Sequence, residues 1–226
     1  MGNNASTAVN AMAGISDSYA TGNVGSTAGS NVGGLIGQNS SSNGSDASVQ
    51  NSYASGNVTS AGSAIGGLIG NNGSSLSTGS SPTTSNILNS YASGTVTNNA
   101  SSGLYVGGLI GENISSTTSN STTVTGSYAS GLVTSAGSDV GGLIGYNSAG
   151  GNSAILQSYA TGNVVSTLST GFNLGGLIGL VAGGASGSNA SITESYASGN
   201  VSGAGSGAGG LGGLVCLLYT SPSPRD

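Results

Sequence analysis

Apolar residues along this chain fall into two short blocks set in polar, glycine-rich sequence. The first block reads Ser-Tyr-Ala-x-Gly-x-Val and is complete at residues 18–24. The second reads Val/Ile-Gly-Gly-Leu-Ile-Gly-x-Asn and first appears at residues 32–39. Neither block carries apolar positions at helical spacing. Glycine costs about 1 kcal/mol per helical position relative to alanine, so helix fits the chain poorly.

The two blocks alternate along the chain. The tyrosines of the first are Tyr19, Tyr53, Tyr91, Tyr128, Tyr159 and Tyr196, with gaps of 34, 38, 37, 31 and 37 residues. Four residues before them stand Ile15, Val49, Ile87, Val124, Ile155 and Ile192. Alanine always follows, then Gly22, Gly56, Gly94, Gly131, Gly162 and Gly199 three positions on. The Gly-Gly-Leu-Ile-Gly block begins at Gly33, Gly66, Gly107, Gly141 and Gly175, with a degraded copy at Gly212. Self-similarity at this period marks stacked supersecondary units, none of which can bury its apolar face alone.

Short β-branched runs bounded by Gly, Asn and Ser predict strands joined by turns. A leucine-rich repeat would need a Leu-x-x-Leu-x-Leu run, and none is present. The expected fold is all-β: a β-solenoid, as a right-handed parallel β-helix of about six coils with three short strands per coil. At roughly 4.8 Å per strand, six coils span about 29 Å. Length variation between blocks, as at residues 73–86, falls where surface loops tolerate insertion.

Alternation then assigns faces. Ala54 and Val58 share one parity and suit a narrow interior. Tyr53 has the other parity, which predicts an outward ladder of stacked tyrosines. The alternative is a strand that turns a corner with the tyrosines in the core. By the same parity Ile65, Gly67 and Ile69 share a face and Leu68 takes the opposite one. Asn39, Asn72, Asn113 and Asn147 occupy one repeat position, replaced by Val181 in the next. They read either as a hydrogen-bonded ladder or as turn residues in a left-handed backbone.

Composition narrows the function. Charged residues are 3% of the chain and histidine is absent. Near absence of Lys and Arg argues against nucleic acid or anionic membrane as partners. No apolar run reaches the roughly 18 residues of a membrane span, so membrane insertion is not expected. The ends differ from the middle. Met1 is not followed by a signal peptide, and residues 1–14 read as the edge of a truncated chain. Residues 216–226 hold the only Cys, the only Arg and two of the three Pro; they resemble a translated sequencing adapter and are set aside as a non-native tail. The solenoid is expected over residues 15–215.

Little chemistry remains. Outside that tail five carboxylates are spread about one per repeat: Asp17, Asp46, Glu112, Asp139 and Glu194. Asp17 and Glu194 share a repeat position but lie some 24 Å apart at 4.8 Å per coil, too far for an acid/base pair. Outside the tail no His or Cys is available for a metal or a nucleophilic dyad. The glycine-rich stretch at 203–213 lacks the Gly-Lys-Ser/Thr ending of a phosphate loop. No catalytic residue, cofactor or metal is expected, and the chain reads as non-enzymatic.

The blocks Gly-Gly-Leu-Ile-Gly-x-Asn and Asn-Ser-Tyr-Ala-Ser-Gly-x-Val resemble the GLUG motif over residues 15–215. That motif recurs in bacterial surface and secreted proteins, among them adhesins of the filamentous-haemagglutinin type and some cell-wall proteases. Related repeats often carry cysteine just before the tyrosine, where this chain has Ser18, Ser52 and their equivalents. The resemblance implies a structural or adhesive segment of an extracellular or cell-surface protein. Its expected partners are host or matrix glycans or surface proteins, met by the tyrosine faces. Exposed strand edges predict end-to-end self-association. Two alternatives are an accessory region of a secreted protease or glycanase, and an ice-binding solenoid using the column Gly25, Thr59, Thr97, Thr134, Val165 and Ser202.

Overall fold

The computed structural model describes residues 2–75, 81–101, 104–167, 172–183, 188–204 and 210–219. Over these residues the chain winds into a β-solenoid of about six turns. One turn runs through strands Asp46–Gln50, Tyr53–Ala54, Val58–Ser60, Ile65–Gly66 and Ile69–Ser75. The chain then returns at Thr84–Leu88, hydrogen-bonded in parallel beside Asp46–Gln50. Each turn therefore has five strands, not three, and the strands stack into one seven-stranded and four six-stranded parallel sheets.

The extra strands come from bends that spacing alone does not show. Asn51 has φ 48°, and its equivalents Asp17, Asn89, Gly126, Gln157 and Glu194 lie between 48° and 59°. This left-handed residue breaks the run before each tyrosine into two strands. Asn, Asp and Gly tolerate that backbone best. The two charged members of the column, Asp17 and Glu194, are thus turn residues.

The second bend lies inside the Gly-Gly-Leu-Ile-Gly block, between Ile65–Gly66 and Ile69–Ser75. It resets the alternation, so Ile65, Leu68 and Ile69 are all buried. Leu68 therefore points inward, against the parity reading. Coil-to-coil hydrogen bonding continues through the bend, with Gly67 N–H donating to Gly108 O at 3.1 Å and Leu68 N–H to Leu109 O at 2.9 Å.

The interior is divided in two. Val49, Ala54, Leu68, Ile69 and their repeats form one apolar cluster. Val58, Ile65, Val96, Val106 and their repeats form the other, closed by Phe172 and Leu174. Each fully buried Val, Leu or Ile contributes about 1.5–3 kcal/mol relative to exposure, so several per turn make a thin but continuous core. Strands run from Asn3–Ser6 to Val215–Tyr219. The solenoid thus extends beyond residues 15–215 at both ends, and residues 220–226 of the expected tail lie outside the described residues. Residues 76–80 of the variable loop and 205–209 of the glycine-rich stretch also lie outside them.

Candidate functional site

Three columns of side chains run along the solenoid. The first is the tyrosine ladder, whose strands pair tyrosine to tyrosine in register. Ring centroids of successive tyrosines from Tyr19 to Tyr196 are 4.8–5.2 Å apart and their planes differ by 1–8°. Ala54 and Val58 are buried while Tyr53, Tyr91, Tyr128 and Tyr159 are half-buried, so the ladder lies on the outer surface. Mutual stacking changes what it can do. Each ring face of Tyr53, Tyr91, Tyr128 and Tyr159 is covered by a neighbouring ring, so these four present edges and hydroxyls. Stacking on a sugar needs a free face, which these rings lack. Tyr128 titrates above the usual tyrosine range, through burial first and then the charge of Tyr91 and Tyr159.

The second column is the asparagines. Asn39 Nδ2 donates to Asn72 Oδ1, Asn72 Nδ2 to Asn113 Oδ1 and Asn113 Nδ2 to Asn147 Oδ1, each at 2.7 Å. All four are fully buried in strands. They form an internal ladder, and the left-handed asparagines of the chain are other residues. Asn4 extends the row, donating to Asn39 Oδ1 at 2.6 Å. Spacing missed Asn4 because no Gly-Gly-Leu-Ile-Gly block precedes it. At the other end Asn147 Nδ2 has no partner, since its neighbour is Val181.

The third column escaped sequence reasoning. After Ser18, the serine before each tyrosine accepts a hydrogen bond from the N–H of the preceding serine in the column: Ser18 to Ser52, Ser52 to Ser90, Ser90 to Ser127, Ser127 to Ser158 and Ser158 to Ser195, at 3.1–3.2 Å. Each hydroxyl in turn donates across the left-handed residue, as Ser90 Oγ does to Leu88 O at 2.8 Å. Six recurring serines were the available signal, though their abundance elsewhere masked it.

The Gly25, Thr59, Thr97, Thr134, Val165 and Ser202 column lies mid-strand and is half-buried or exposed. Only three of its consecutive members are threonine.

Two carboxylates lie in a different setting. Glu112 and Tyr146 are strand partners, as are Tyr105 and Asp139. The Tyr105 and Tyr146 rings stack across the bend at 4.5 Å and 16°. Burial raises the Glu112 carboxyl above its ordinary range, opposed by a hydrogen bond from Asn71 Nδ2 at 2.7 Å. Burial likewise raises Asp139, opposed by Asn173 Nδ2 at 2.6 Å. The Tyr105 phenol is raised by burial, then by Glu112, Tyr146 and Asp139. Among the described residues no three or more metal-ligating side chains come together.

Residues 28–59 match the family model described as the GLUG motif, which supports a GLUG repeat. The matched segment joins one Gly-Gly-Leu-Ile-Gly block to the following Ser-Tyr-Ala block. No curated protein and no solved structure matches the chain.

Proposed function

We propose that this GLUG-motif β-solenoid is a non-catalytic stalk segment of a bacterial secreted or cell-surface protein. Its task is to hold other parts of that protein at a fixed distance. The observation that carries this reading is the unbroken tyrosine stack, six rings with planes within 8° of one another from coil to coil. Adjacent strands in sheets commonly rotate by about 20–25°; this column keeps its rings nearly parallel. Buried asparagine and serine ladders tie the same coils together from within. Such a column resists local slippage, because a one-residue shift would break every ladder at once.

Adhesion through the tyrosines is secondary in this reading, since stacked rings offer edges rather than faces. An antibody against the chain should label intact cells that make it. Labelling that appears only after the cells are permeabilised would overturn the extracellular setting.

A further inference from the structure

We propose that the tyrosine column is an oxidative cross-linking site, where peroxide-driven one-electron oxidation joins successive rings as dityrosine and ties each coil covalently to the next. Strand pairing sets tyrosine against tyrosine in every successive pair from Tyr19 to Tyr196. Their ring centroids are 4.8–5.2 Å apart and their planes lie within 8°. Each ring is therefore close to a translated copy of its neighbour, and equivalent ortho carbons are about one ring spacing apart. Backbone hydrogen bonds hold the partners there. Tyr91 N–H donates to Ser52 O at 3.0 Å and Tyr128 N–H to Ser90 O at 3.1 Å.

Stacking closes the ring faces and leaves the edges open, and this chemistry happens at the edge. A phenoxyl radical carries its unpaired spin on the oxygen and on the ortho and para carbons. The para carbon bears the side chain, so the bond forms between ortho carbons, beside the hydroxyl. Tyr53, Tyr91, Tyr128 and Tyr159 are half-buried, and Tyr19 and Tyr196 are exposed. An oxidant reaches the hydroxyl edge and water takes the proton. Competing donors are few, since the chain has no tryptophan or histidine and one cysteine.

One peroxide balances one bond. Hydrogen peroxide, acting through a peroxidase, takes one electron and one proton from each of two phenols and leaves as two waters. The two phenoxyl radicals join through one ortho carbon each. The hydrogen on each of those carbons then moves to its oxygen, and both phenols are restored. The bonds close loops of 31–38 residues, the tyrosine spacings. A cross-link over such a loop restricts the unfolded chain as a disulfide does, and the free Cys216 has no second cysteine in this chain to pair with.

The test treats the full chain, dilute and carrying Cys216→Ser, with a peroxidase and hydrogen peroxide. Dityrosine fluorescence gives the yield, and mass spectrometry of peptic fragments locates the bonds. Links between neighbours in the column are expected, with the chain still monomeric. The same chain unfolded in urea should yield about fivefold less, because it loses the held geometry. Tyr53→Phe with Tyr128→Phe keeps the ring column and removes four adjacent phenol pairs; the yield should fall several-fold. Tyr105→Phe with Tyr146→Phe removes as many phenols but one stacked pair, and the yield should change little. Circular dichroism checks that both variants are folded. Equal yields from folded and unfolded chain overturn the proposal, as do equal losses in the two double variants, bonds mainly between different molecules, or no dityrosine.

Discussion

Gly67 and Ala92 lie 25 residues apart and touch across neighbouring coils: a methyl on Gly67 would sit 2.8 Å from the Ala92 Cβ. The same pairing recurs at Gly34 with Ala54, Gly108 with Ala129, Gly142 with Ala160 and Gly176 with Ala197, at 2.9–3.0 Å. The two sequence blocks are therefore two halves of one contact. Glycine is needed on one side and alanine on the other because the backbones are too close for more.

Gly67→Ala should accordingly destabilise the chain by about 3 kcal/mol or more, since the added methyl would also strike Gly108 O. Gly25→Ala meets nothing within 4 Å and should change stability by less than about 0.5 kcal/mol. Urea unfolding of both variants decides this; similar midpoints would refute the contact.

Asn72→Ala removes the middle of a buried row. It strands Asn39 Nδ2, which donates to Asn72, and Asn113 Oδ1, which accepts from it. Each unsatisfied buried group costs about 1–3 kcal/mol, so a loss of about 2–6 kcal/mol is expected in the same unfolding experiment.

Tyr91→Ala breaks two ring stacks, those with Tyr53 and Tyr128. At about 0.5–1.5 kcal/mol per aromatic pair, the cost beyond lost burial is about 1–3 kcal/mol. Tyr19→Ala breaks one stack at a position already 65% exposed and should cost about half as much. Equal melting temperatures for the two variants would show that stacking contributes nothing.

Acidity should stabilise this protein. Glu112 and Asp139 both titrate higher in the folded chain than carboxyls ordinarily do, because burial disfavours their charge. Their contribution is complete below the unfolded-state value and is lost as pH rises through the raised folded-state value. The melting temperature should therefore rise as pH falls from 7 into the carboxylate range. Glu112→Gln with Asp139→Asn should flatten this rise. A melting temperature that falls over the same range in both proteins would contradict the assignment.

Much of the fold was legible in the sequence because recurrence reports structure directly. The tyrosine spacing gave the coil, and the parity of Ala54 and Val58 gave the inside. The strand count was not legible. Asn51 and Gly67 look like ordinary polar or small residues inside extended runs, and only the backbone angle at the first and the tight approach at the second reveal bends. Leu68 was misplaced for the same reason, since alternation stops at a corner. The Tyr105–Tyr146 stack was invisible for another reason. Tyr105 and Tyr146 do not recur, and loops of different length conceal that residues 41 apart meet across the bend.

The buried asparagine row also has a direction. From Asn4 through Asn39, Asn72 and Asn113 to Asn147, every amide donates forward along the chain and none donates back. The amide dipoles add, which makes the row a vector with a positive tip at Asn147 Nδ2, beside Val181. A rod built on that axis cannot be inverted without opposing its own interior, so the two directions along it are electrically unlike.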